Sequence, residues 1–301
     1  MKWEGNRESD NVEDRRGDEG GGGGFGGGGG FGGRSIGLGT IAIAVVASYF
    51  FGINPMTVLS LLTGGGQPAP MQQQQQQPRP PQSQSPEEAR MVRFVSTVLA
   101  DTEDTWGAMF RANGANYVRP HLVLFSGSTQ TACGTGQSAT GPFYCPEDQK
   151  IYIDLAFYRL MKQRFQVDGD FAQAYVIAHE VGHHVQNLMG ISGKVDEARR
   201  RMSEKQSNAM SVRLELQADC FAGVWAYHAN EARSILEQGD IEGAMRAATA
   251  IGDDALQKQA RGTVVPDSFT HGASAQRVKW FTRGIDSGKV ANCNTFEAKQ
   301  L

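Results

Sequence analysis

His179, Glu180 and His183 stand in the order His-Glu-x-x-His within the run Tyr175-Val-Ile-Ala-His-Glu-Val-Gly-His-His-Val-Gln186. On a helix, imidazoles four residues apart project from one face, one turn apart, so two ring nitrogens can reach a single Zn2+ ion. Glu180 then faces the open coordination position, where it can take a proton from a zinc-bound water. Val176, Ile177, Ala178, Val181, Val185 and Leu188 make this helix apolar nearly all round, which predicts burial. Between Asp170 and Lys194 the only charged side chain is Glu180. A lone buried carboxylate beside two imidazoles is costly unless something neutralises it, and a divalent cation would. The bland alternative is a chance match, with satisfied core histidines and a Glu that reaches the surface; the buried context argues against it.

A third ligand has to come from elsewhere. Glu215 and Asp219 lie one turn apart in Arg213-Leu-Glu-Leu-Gln-Ala-Asp-Cys-Phe-Ala-Gly-Val-Trp225, in line with Ala218, Ala222 and Trp225 on the stripe that should face the core. The economical reading makes Glu215 the third ligand, with Asp219 accepting the second ring N–H of a ligating histidine. The competing reading has Arg213 and other basic side chains satisfy both carboxylates at the surface. His271, before a glycine in the turn Pro266-Asp-Ser-Phe-Thr-His-Gly272, could donate a hydrogen bond to a developing oxyanion, or serve as a local cap or surface histidine. His184 points about a quarter-turn from His183 and reads as structural. His121 and His228 have no motif context.

The elements that must position these residues follow from pattern. Asp170 to Gly190 predicts the metal helix, with Asp170 as N-cap, and a polar, basic helix is expected at about 195–207. Ser85-Pro-Glu-Glu88 is a capping box that opens a helix with apolar residues at Met91, Phe94, Val95, Val98, Leu99, Trp106, Met109 and Phe110, ended by Asn113-Gly114. His121–Phe125 and Lys150–Asp154 read as short strands. The expected fold class is α+β, mostly helical with a small β-sheet, over residues 86–301. Four cysteines, Cys133, Cys145, Cys220 and Cys293, allow three pairings, of which 133–145 with 220–293 is preferred; free buried thiols are the alternative, and the lack of any Cys-x-x-Cys argues against a Cys-based zinc site.

The first 85 residues read differently. Residues 1–35 carry mixed charges and a nearly pure glycine tract, which predicts a flexible tail. Ile36–Ile53 has no charged residue over its 18 positions, and Arg34 stands at its edge with no further Lys or Arg until Arg79. That predicts a single transmembrane helix, with the N-terminus cytoplasmic and the remainder outside the bacterial inner membrane, in an oxidising compartment. Residues 54–85, rich in Pro and Gln, read as a tether. A net charge of −3 gives no sign of a nucleic-acid partner.

Several segments are similar to the bacterial neutral zinc metallopeptidases of the YpfJ type. They are Trp3–Arg16, Ser138–Pro146, Ala178–Val185, Glu215–Gly223 and Pro266–Gly272. The His-Glu-x-x-His and Glu-x-x-x-Asp pair also resembles that of gluzincin peptidases. The resemblance implies a zincin-like domain with His179, His183 and Glu215 as zinc ligands, Glu180 as general base and Asp219 behind a ligand. It also implies membrane association. The expectation is therefore a membrane-anchored zinc endopeptidase acting on protein or peptide substrates; the alternative is a catalytically silent zinc-fold scaffold at the membrane.

Overall fold

A computed structural model describes residues 1–17, 85–137, 141–167 and 169–301. The strands are β1 (Val12–Asp14), β2 (His121–Phe125), β3 (Ser128–Thr131), β4 (Gly134–Gln137), β5 (Phe143–Cys145) and β6 (Lys150–Asp154). The helices are α1 (Pro86–Ala112), α2 (Ala156–Phe165), α3 (Asp170–Leu188), α4 (Ile191–Arg199), α5 (Glu204–Arg233), α6 (Asp240–Ala250), α7 (Asp253–Arg261) and α8 (Ser274–Ser287). The described chain is thus mostly helical with small sheets.

The main sheet runs β1-β2-β6-β5. β2 pairs in parallel with β6, Leu122 opposite Ile151 and Phe125 opposite Asp154, and all but the first residue of each is buried. Such near-continuous apolar runs are what a parallel pair covered on both faces requires. β5 closes the sheet antiparallel to β6, while β3 and β4 form a separate hairpin. Disulfides join Cys133 to Cys145 and Cys220 to Cys293. The first ties the hairpin turn to β5; the second pins α5 to the last helical turn, Val290–Cys293.

The expectation of a flexible tail fails for residues 1–17. β1 pairs in parallel with β2, Val12 opposite Leu122. Trp3 is buried against Phe94, and its indole Nε1 donates to Asp170 Oδ2 at 2.7 Å. The buried Glu103 carboxylate accepts from Ser9 Oγ at 2.6 Å, Asn11 Nδ2 at 2.7 Å and Arg7 Nη2 at 3.0 Å. A buried carboxylate with donors supplied by the arm gives that arm a defined seat, which the glycine-rich composition further along concealed.

This finding also corrects the expected topology. A single span placing residues 1–35 and 86–301 on opposite faces of a membrane would tear β1 from β2. Among the described residues, no helix is long and apolar enough to cross a membrane. The segment Ile36–Ile53 and the 54–84 tether lie outside the described residues.

α3 and α5 pack at close range. A methyl group on Gly182 would come within 2.9 Å of the Ala218 carbonyl oxygen, so glycine is what lets the two backbones approach where their functional side chains face one another. α8 closes on α5 in the same way: Gly223 and Gly284 leave no room for a β-carbon on either side. Phe171, Tyr175, Ile177, Val181 and Val185 of α3 are buried with Phe221 and Trp225 of α5 and Trp280 and Phe281 of α8.

Candidate metal centre

α3 begins at Asp170, with Gly169 in the N-cap position. The sequence pattern suggested Asp170 as cap; its carboxylate instead takes the Trp3 indole and Arg90 Nη2 at 3.0 Å, a tertiary use the local motif does not announce. The basic helix expected at 195–207 is interrupted: α4 stops at Arg199, and a second capping box on Ser203 and Gln206 starts α5.

Where α3 and α5 touch, three side chains converge. His179 Nε2 lies 3.1 Å from Glu215 Oε2, and His183 Nε2 lies 3.4 Å from Glu215 Oε1. One donor atom from each residue falls within 4.8 Å of the others. Ligands of a tetrahedral zinc at bonds of about 2.0–2.1 Å sit roughly 3.3 Å apart. The two imidazole–carboxylate distances are close to that figure.

The far sides of both rings are committed. His179 Nδ1 is 2.8 Å from Asp219 Oδ1, and His183 Nδ1 is 2.9 Å from Gln186 Oε1. With Nδ1–H donating in each ring, both Nε2 lone pairs are aimed at Glu215 oxygens. Lone pair against lone pair at these distances repels unless positive charge lies between, either a proton on each ring or a metal ion. The titration tendencies say the same. Burial alone would lower the imidazoles; Asp219 and Glu215 override it and lift His179 to about 10, and Glu215 likewise raises His183. Burial would raise Glu215, but the two imidazoles hold it well below the ordinary carboxylate range. Two imidazoles and one carboxylate are a donor set that suits a divalent cation such as zinc.

The profile of the family described as "Putative neutral zinc metallopeptidase" matches residues 1–296. The chain belongs to that family. It is 52% identical over 300 residues to a protein of Escherichia coli K12 named "Uncharacterized protein YpfJ", covering 98% of this chain and 99% of the relative. It is 42% identical over 219 residues to "Uncharacterized protein Mb2605" of Mycobacterium bovis and to "Uncharacterized protein Rv2575" of Mycobacterium tuberculosis, covering 69% of this chain and 73% of each relative. No solved structure matches. The family's description names zinc, so zinc is the metal it implies, and the donor set above fits it.

Two further groups complete the surroundings in this family member. Glu180 is buried, and burial pushes its carboxyl above the ordinary 4.5, although the neighbouring imidazoles oppose this. Asp219 is fully buried and accepts from Tyr175 Oη at 2.5 Å, His179 Nδ1, and both Nε and Nη2 of Arg277 at 2.9 Å. The alternative partner for the two carboxylates, Arg213, is turned away to the carbonyls of Thr295 and Ala298.

Three positions around the centre escaped sequence reasoning. Arg277 had a signal: it precedes Trp280 and Phe281 by three and four residues, which puts a charge on the buried stripe of α8. Tyr175 lies four residues before His179, on the same face. Gln186 holds His183 and in turn donates to Leu214 O at 2.7 Å and Gln217 Oε1 at 3.1 Å; Gln217 then donates to Cys293 O at 3.0 Å. A buried run of amides thus links one imidazole to the Cys220–Cys293 crosslink.

His271 stands apart from the three converging groups, with its side chain 53% exposed. Asp253 Oδ2 accepts the backbone N–H groups of Thr270, His271 and Gly272 at 2.7, 2.7 and 3.0 Å, and Asp253 Oδ1 lies 3.3 Å from His271 Nδ1. The bond to Asp253 raises His271 above its ordinary 6.5, burial opposing. Gly272, at φ +92°, lies against Val212 and Leu216, so this turn rests on the part of α5 that carries Glu215. His184 is held between Tyr144 Oη at 3.0 Å and Val118 O at 2.7 Å, and burial lowers it to about 4. His121 faces Glu13 at 3.7 Å, and His228 bonds Gly288 O at 2.8 Å.

Proposed function

We propose that the chain is a zinc-dependent endopeptidase whose ligands are His179, His183 and Glu215 and whose general base is Glu180. The observation that carries this reading is the convergence of two Nε2 atoms on one carboxylate, each imidazole meeting an acceptor oxygen at its Nδ1 on the far side. A divalent cation held there supplies Lewis acidity, which polarises a carbonyl and makes a water acidic near neutral pH.

The protein's own groups do the rest. Glu180 takes the proton of the attacking water and returns it to the leaving amine, a double role that suits a carboxyl raised by its apolar surroundings. His271, held by Asp253 and raised by it above its ordinary range, donates from the rim to the oxygen that gains charge. β5 is the end strand of its sheet, and Tyr144 ties it to His184 on α3. An extended peptide adding to that edge lies beside the metal ligands, with backbone hydrogen bonds independent of side-chain identity. Protein or peptide is therefore the substrate class.

The test is cleavage of a peptide library by the purified chain and by Glu180→Gln. The variant is expected to keep its zinc and lose about 10²- to 10⁴-fold in kcat/KM. Equal cleavage by both removes Glu180 from the reaction.

A further inference from the structure

We infer that Arg277 is a positioning residue for the metal, acting through Asp219 to keep the Nε2 lone pair of His179 free for the ion. The inference rests on the zinc site proposed above. Arg277 meets no metal-facing atom of the three ligands; its Nη2 lies 3.4 Å from His179 Nδ1, on the side of the ring away from Glu215. Arg277 is 2% exposed, and its guanidinium engages Asp219 as a fork, Nε to Oδ2 and Nη2 to Oδ1, both at 2.9 Å.

The consequence lies in counting lone pairs. Asp219 Oδ1 receives Tyr175 Oη at 2.5 Å, His179 Nδ1 at 2.8 Å and Arg277 Nη2, while Oδ2 receives Arg277 Nε. A carboxylate so occupied can only accept. The ring N–H that faces Asp219 is therefore Nδ1–H, and Nε2, on the side of Glu215, is the ring atom turned toward an ion. Without Arg277, Oδ2 loses its donor in a fully buried site, and the carboxylate is held only at Oδ1, by Tyr175 and His179. A carboxylate pinned at one oxygen can turn about that contact, and the His179 ring that bonds it turns with it, away from the orientation that sets Nε2 toward Glu215.

The device reaches further than one side chain. Arg277 sits on α8, which closes on α5 through the Gly223–Gly284 approach. The docking of α8 is thereby coupled to the readiness of His179. The fork geometry matters as well as the charge: lysine would offer one point donor where the carboxylate has two oxygens to hold.

The experiment measures zinc affinity of the full chain by competition with a chromophoric chelator, for wild type, Arg277→Lys and Arg277→Met, with melting temperatures of the zinc-free forms alongside. Arg277→Met is expected to bind zinc about 10- to 100-fold more weakly, and Arg277→Lys to fall between it and wild type. Ile285→Val, a packing change on the same helix away from Asp219, is expected to lower the melting temperature while leaving zinc affinity within about twofold of wild type. The inference is overturned if Arg277→Met binds zinc as wild type does, or if Ile285→Val weakens zinc as much for the same loss of melting temperature. Should Arg277→Met fail to fold, Arg277→Lys decides alone: affinity equal to wild type overturns the inference. Absence of zinc binding by the wild type itself overturns the metal reading beneath it, an outcome distinct from equal binding by all variants.

Discussion

At the residue scale the His-Glu-x-x-His spacing carried most of the information, because helical geometry alone puts two imidazoles on one face. What spacing cannot say is which tautomer each ring adopts; that is decided by Asp219 and Gln186, the first from another helix and the second three residues along. Asp219 was legible as a carboxylate on a core-facing stripe. Arg277 was not read, since its partner is 58 residues away and only a charge on an apolar stripe hinted at it. The Asp253–His271 clasp makes a prediction of its own at this scale. Asp253 is held below its ordinary 3.8, so its contribution is full above about pH 4 and is lost as pH falls through the lower folded value. His271 is held above 6.5, so its contribution is full below that pH and is lost as pH rises through the raised value. The pair is strongest between these limits. Asp253→Asn should therefore lower the melting temperature most between about pH 4 and 6.5, with the difference from wild type shrinking in acid. A pH-independent difference would remove the charge from the account.

At the scale of elements, the sequence-based strands at 121–125 and 150–154 and the capping box at Ser85 correspond to β2, β6 and the start of α1. Local rules suffice where the signal is local. They fail at Asp170, which tertiary partners draw away from capping, and they could not foresee how near α3 and α5 would lie. That distance is set by Gly182 against Ala218. Gly182→Val would force the helices apart between the two histidines and the Glu215–Asp219 turn. A cost of about 1–3 kcal/mol is expected from urea denaturation of the zinc-free protein, accompanied by weaker zinc binding. Unchanged zinc affinity in a destabilised variant would mean that helix separation does not govern the site.

At the scale of the molecule, residues 1–17 are part of the folded body, against the reading of the whole N-terminal stretch as a tail. Composition misled because the glycine tract was allowed to speak for the residues before it, whereas Trp3, Ser9 and Asn11 each have a buried partner on α1 or α3. The family match beginning at residue 1 agrees with an arm that belongs to the fold. Trp3→Ala should cost about 3–5 kcal/mol, read as a lower denaturation midpoint, because it empties a core site and leaves Asp170 without its indole donor. A change near zero would return the arm to the status of an appendage.

The centre of the account is that α3 and α5 together make one zinc site, and metal content tests this most directly. Elemental analysis of the purified full chain, its Glu215→Ala form and its His183→Ala form is expected to find about one zinc per wild-type chain and far less in either variant. No zinc in the wild type, or equal zinc in all three, would contradict it.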